Sequence, residues 1–155
     1  MRELIRKAST GPVGDTLTLP FERRQKSRQR VTLDSGAEAA LFLVPGTRLA
    51  DGDLLADAAG ECVRVLAAAE RVSTASSGNP HELMRAAYHL GNRHVPVQIG
   101  KGWIRYAHDH VLDDMLRFLG IAVVVELVPF EPEGGAYGGS HAHGHHAHDH
   151  AHHAD

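Results

Sequence analysis

Apolar and polar residues alternate along much of the first 65 positions, in short runs broken by turn residues. The segments DTLTLPF, RQRVTLDSG, EAALFLVPG and ECVRVLAA each read as a strand, with Val31 and Leu33, then Leu41 and Leu43, at alternating inward positions. Gly36, Gly46, Gly52 and Gly60 punctuate these runs, and the DGD at 51–53 reads as a turn. The spacing predicts a small β domain over residues 1–65, with about five strands.

The period then changes. CVRVLAAAERVST reads as one long strand. Asn79 follows as a helix cap, with Pro80 at the first helical position and Glu82 three residues after the cap. Leu83, Met84, Ala87 and Leu90 give this helix an apolar face, and Gly91 with Asn92 supplies residue types that stop a helix. VPVQIGKGWIRYA has the alternation of a hairpin turning at its GKG. Asp109 then caps a second helix with Leu112, Met115, Leu116 and Leu119 inward and Gly120 at its end, and IAVVVELVPF closes the set as a strand. The order βαββαβ over residues 66–133 predicts a ferredoxin-like domain, one antiparallel sheet with two helices on one face. The fold class expected is therefore α+β: a small N-terminal β domain, a ferredoxin-like domain, and a disordered Gly/His-rich tail over 134–155 that has no apolar pattern with which to bury a core.

Composition sharpens this picture at one residue type. Hydrophobic residues make up 43% and charged residues 23%, within the globular range, so most of the chain should fold. Histidine, however, occurs 13 times, more often than Phe, Tyr, Trp and Met together. The formal net charge of -3 holds only while the imidazoles are neutral, so no fixed nucleic-acid-binding charge is implied. RRQKSRQR at 23–30 has five basic residues in eight, but no aromatic residues are interleaved as a nucleic-acid stacking platform requires. It reads as a solvated hairpin arm or a docking surface for an acidic protein partner. The N-terminus lacks a signal-peptide apolar region and the longest apolar runs are too short to span a bilayer, which points to the cytoplasm and away from membranes. Cys62 is the single cysteine, suits a reducing compartment, and reads as core.

Histidine placement suggests the chemistry. Eight of the last fifteen residues are histidines: His141, His143, His145, His146, His148, His150, His152 and His153. Imidazole suits nickel, zinc and copper, and a flexible segment with histidines at near-alternate positions can wrap one ion with several nitrogens. A purification tag is normally an uninterrupted run, whereas Ala, Gly and Asp interrupt this one. Four of the remaining five histidines fall in two pairs, His89 with His94 and His108 with His110; His81 reads as an ordinary exposed helix residue. His108 and His110 flank the Asp109 cap, which makes either an accessible two-nitrogen site or simply a polar strand-to-helix turn. His94 sits at an element end between the Gly91-Asn92 stop and the next strand, where position alone leaves it a surface residue or a ligand.

These motifs, taken together, are specific. YHLGNRHVPVQI at 88–99, IRYAHDHVLDDMLRFLG at 104–120, FEPEGGAYG at 130–138, the RRQKSR run, the LADGDLL turn and the histidine-rich end resemble the urease accessory protein UreE family over most of the chain. The resemblance implies a homodimeric Ni(II) metallochaperone, with Zn(II) or Cu(II) as substitutes in vitro, that delivers its cargo to the urease apoprotein alongside other accessory proteins including the urease-activating GTPase. It further implies an N-terminal domain that binds peptide or partner. His94 would lie at the two-fold interface so that two chains share one ion, with His108 and His110, and less directly His89, as accessory ligands and tail histidines completing the coordination sphere.

The residues themselves favour a carrier over an enzyme. No HExxH-like constellation or phosphate-binding glycine loop is present. Asp113 and Asp114 could be proposed as acid and base, but their place in the first turn of a helix is better explained by its dipole. A histidine-rich buffer without a delivery target is the alternative. In either case proton and metal compete for imidazole, so loading should weaken below about pH 6.

Overall fold

A computed structural model describes residues 1–135. The N-terminal region runs β1 (Arg2–Leu4), β2 (Arg6–Ala8), β3 (Val13–Leu19), α1 (Phe21–Arg24), β4 (Arg28–Thr32), β5 (Glu38–Phe42), β6 (Leu54–Ala56) and β7 (Cys62–Ala67). These strands form two sheets, ordered β1-β5-β4 and β2-β6-β7-β3. Leu4, Val31 and Leu41 from the first sheet meet Leu17, Leu55, Val63 and Val65 from the second in one fully buried cluster. The expected inward residues Val31, Leu33, Leu41 and Leu43 are all buried, and so is Cys62. β1, β2 and β6 were not expected, because three residues are too few to show alternation.

The long strand expected over 62–74 is two strands. β7 ends at Ala67, and β8 (Ala69–Ser76) starts a new sheet, so Ala68 is where the chain changes layers. After β8 come α2 (Pro80–Asn92), β9 (Gln98–Gly100), β10 (Trp103–Ala107), α3 (His110–Phe118) and β11 (Ala122–Pro129). The sheet order is β11-β8-β10-β9 with every pairing antiparallel, the ferredoxin-like arrangement. Both helices bury one stripe against one face of this sheet. Ala86 and Leu90 of α2 and Leu112 and Leu116 of α3 pack on Ala75, Ile104 and Tyr106. Met84, expected inward, is exposed, and Ala86 takes its place in the buried stripe. Among the described residues, no helix is long and apolar enough to cross a membrane.

The two regions are joined by a buried arginine. Arg24 is 3% exposed. Its Nε donates to the Leu19 carbonyl at 3.1 Å, its Nη1 to the Leu49 carbonyl at 3.1 Å, and its Nη2 to the Phe130 carbonyl just after β11. Around it, the Phe21 ring meets Phe130 edge-on at 5.7 Å, the Phe21 N–H donates to Glu70 at the start of β8, and the Asp51 N–H donates to Glu131. Burial draws the Arg24 guanidinium below its ordinary value, opposed by the negative charges of Glu131 and Glu70. One residue of the basic run is therefore structural, whereas Lys26 and Arg28 are exposed as a solvated arm would be.

Candidate metal centre

His94 is held by the end of α2. The helix runs two residues past the expected stop at Leu90, through Gly91 and Asn92, with Arg93 as its C-cap. His94 follows in the left-handed region at φ 56°, the one non-glycine residue there among the described residues, and its N–H donates to the Gly91 carbonyl at 3.1 Å. A left-handed residue after the C-cap ends a helix and is usually glycine, although histidine tolerates the region better than most residues. The chain then turns toward β9, leaving His94 exposed on a junction fixed by a helix on one side and a sheet edge on the other. His89 lies one turn earlier on α2, half-buried, with its ring edge-on to Tyr88 at 5.3 Å. The helix start matches the expected cap: Asn79 accepts from the His81 N–H at 3.0 Å. Glu82 does not close a reciprocal box with Asn79; Ser77 accepts from the Asn79 N–H and donates to Glu82 instead.

The HDH segment is asymmetric. Asp109 caps α3, accepting from the N–H groups of Val111 at 2.8 Å and Leu112 at 3.3 Å, and His110 is the exposed first helical residue. His108 points inward. Its Nδ1 lies 3.1 Å from the Ser73 hydroxyl on β8 and 3.1 Å from Oδ2 of Asp113, and its side chain is 23% exposed. Asp113 is 1% exposed, and its other oxygen accepts from the Tyr106 hydroxyl at 2.6 Å. Burial first, and then the bond to Asp113, push the Tyr106 phenol up from its ordinary value. Asp114 next to it is exposed and pairs only loosely with Arg117 at 3.8 Å. The two adjacent aspartates, expected to share a dipole role, thus have different surroundings. The signal for Asp113 was its spacing: four residues after Asp109 it falls on the buried stripe with Leu112 and Leu116.

Among the described residues, no three His, Cys, Asp or Glu side chains converge as a metal-binding group. His94, His108 and His110 each offer one imidazole, and His94 and His110 are exposed. The expected ligands His141, His143, His145, His146, His148, His150, His152 and His153 lie outside the described residues.

Comparison with known proteins agrees along the whole chain. Residues 2–68 match the profile of the UreE urease accessory protein N-terminal domain, and residues 70–155 that of its C-terminal domain. The chain is similar to a urease accessory protein UreE of Pseudomonas putida, 65% identical over 123 residues that cover 79% of this chain and 76% of the relative. A UreE of Alkalilimnicola ehrlichii is 60% identical over 134 residues, covering 86% of this chain and 82% of the relative. One of Teredinibacter turnerae is 52% identical over 146 residues, covering 92% and 95%.

Proposed function

Since the chain belongs to the UreE family of urease accessory proteins, we propose that it is a nickel metallochaperone, a cytoplasmic homodimer that delivers Ni(II) to apo-urease during assembly of the urease metal centre. It acts there with other accessory proteins, including the urease-activating GTPase. An accessory role in urease assembly follows from the family itself, and such a role is distinct from urease catalysis. Nickel is the cargo, so affinity must be balanced against release.

The setting of His94 carries this reading. Its exposed imidazole stands just after the C-cap of α2, on a residue whose N–H is tied back to the Gly91 carbonyl. A single imidazole binds a cation weakly, but two copies related by a two-fold axis would present two nitrogens to one ion from the same residue. Tail histidines would complete the sphere, with His108, His110 and His89 as accessory stations along the way. Borderline imidazole ligands match nickel, and a sphere built without thiolates exchanges its ligands stepwise.

The test is a calorimetric nickel titration of the full chain and of His94→Asn, with the oligomeric state followed in parallel. Asparagine tolerates the left-handed region, so the variant removes the imidazole without adding backbone strain. The expected result is loss of the tightest binding phase with dimer and fold retained and a weaker histidine-tail phase remaining. Survival of the tight phase would remove His94 from the centre. Urease activation in cells distinguishes the alternative of a buffer: His94→Asn should depress activation by a carrier, and deletion of residues 141–155 should leave part of it.

A further inference from the structure

We infer that Asp113 is a positioning residue that holds His108 as its Nδ1–H tautomer and thereby reserves Nε2 as the lone-pair nitrogen offered to a borderline divalent cation. This rests on the carrier reading for its purpose, though not for its geometry. Four side chains from three elements and the loop before α3 compose the arrangement: Ser73 on β8, Tyr106 on β10, His108 before α3, and Asp113 within α3. The proton positions follow from donor and acceptor roles. Tyr106 donates to Oδ1 of Asp113 at 2.6 Å, which suits an ionised carboxylate. Asp113 also lies in the first turn of α3, where the helix dipole favours negative charge. Nδ1 lies 3.1 Å from Oδ2 and also 3.1 Å from the Ser73 hydroxyl, whose oxygen can either donate or accept. An ionised carboxylate has no hydrogen to give, so its approach to Nδ1 is attractive only when the ring carries the hydrogen there, and Ser73 then serves as a second acceptor. In the neutral ring, Nε2 then carries the lone pair, and among the described residues it has no hydrogen-bond partner.

This is the arrangement by which carboxylates orient metal-ligating histidines, fixing tautomer and ring plane and making the free nitrogen more basic. It also distinguishes the two members of the HDH segment. His108 is set in advance by a buried carboxylate, while His110, exposed at the helix start, has no such partner among the described residues. A cation arriving at this turn would meet one fixed nitrogen and one adjustable nitrogen.

The experiment uses the full chain uniformly labelled with nitrogen-15, without metal, at a pH well above the ordinary imidazole range. Long-range nitrogen-proton correlation spectra report which ring nitrogen is protonated, and a His108→Gln variant identifies the His108 signals. The expected wild-type result is the Nδ1–H tautomer. Asp113→Asn should reverse it, because an amide NH2 can donate to Nδ1 and move the proton to Nε2. Zinc added alone, as a diamagnetic cation, should then shift the His108 Nε2 resonance in the wild type. In Asp113→Asn the same response should need at least tenfold more zinc, in line with the 10–100-fold expected when an outer-shell partner is lost, while His94 responds as in the wild type.

An Nε2–H tautomer in the wild-type protein overturns the inference, and this result stands even if Asp113→Asn fails to fold. An unchanged tautomer and zinc response in a folded Asp113→Asn overturns it as well. A wild-type His108 silent to zinc while His94 responds refutes the inference and leaves the carrier reading standing. Silence at both, with no tight nickel phase by calorimetry, refutes the carrier reading itself.

Discussion

Replacing Arg24 with methionine tests how the two regions are held together. Methionine fills much of the same space but donates no hydrogen bonds. Three carbonyls receive the guanidinium, and they are not equally dependent on it. The Leu19 carbonyl also accepts from the Ala68 N–H at 2.9 Å and keeps a partner. The Leu49 and Phe130 carbonyls belong to buried residues and would be left unpaired, at about 1–3 kcal/mol each. Removing the guanidinium also removes its own burial cost, a partial offset. The net expectation is a loss of about 2–4 kcal/mol. Urea unfolding followed by circular dichroism would register this as a midpoint lower by about 1–2 M, taking a slope of about 2 kcal/mol per M. Arg24→Lys should fall between, since one ammonium cannot reach three carbonyls in different directions. Arg23→Met is the control: it loses partly exposed bonds to Gln29 and Arg30 and should cost less than about 1 kcal/mol. An Arg24→Met protein within about 0.5 kcal/mol of the wild type would refute the argument.

Other consequences are open to direct measurement. A Cβ added at Gly100 would lie 2.0 Å from the Trp103 ring, so Gly100→Ala should displace the indole from beneath the Arg105 guanidinium, which sits 4.4 Å from its centroid. The cost should be about 1–3 kcal/mol, and because Trp103 is the single tryptophan its fluorescence should change; an unchanged spectrum and midpoint would contradict this. The Asp34 carboxylate accepts from the hydroxyls of Thr16 and Thr18, at 2.6 and 2.7 Å, and these bonds hold it below its ordinary value. A depressed carboxylate stabilises the fold above its unfolded value of 3.8, and that contribution is lost as pH falls through the lower folded value. The stability advantage of wild type over Asp34→Asn should therefore be full at neutral pH and vanish in acid; an advantage independent of pH would refute it. At His94, glycine removes left-handed strain as well as the imidazole, so His94→Gly should be at least as stable as the wild type, and thermal melts would show whether it is.

Periodicity made the architecture legible where elements were long. The helix stripes Leu83 to Leu90 and Leu112 to Leu119, the Asn79 and Asp109 caps, and the hairpin at Lys101-Gly102 all follow from spacing, and together they specify the ferredoxin-like order. The break at Ala68 was legible only as a change of domain near residue 65, not as the end of one strand and the start of another. Residues 62–75 form an almost unbroken apolar and β-prone run, and nothing local in it marks where the first strand stops. That division depends on which partners each half finds: β7 pairs with β3 and β6, and β8 with β10 and β11. Pairing at such separations is a tertiary outcome that no local pattern encodes.

Charged residues were harder for a related reason. Arg24 and Arg23 are neighbours in one basic run, as Asp113 and Asp114 are in one helix turn, and composition treats each pair as alike. Packing separates them, because a charge is buried only where the surrounding backbone or side chains can satisfy it. Arg24 finds three carbonyls, and Asp113 finds a tyrosine and a histidine. The sequence signal for both is helical phase, and α1, with four residues, is too short to reveal it. His94 is the opposite case: its position after a helix stop was readable, while its left-handed backbone was not, since glycine is the residue expected there. Keeping an imidazole where glycine would cost less concentrates strain at the one exposed histidine that the proposed function most requires, the pattern expected when a binding site and local stability compete for the same residue.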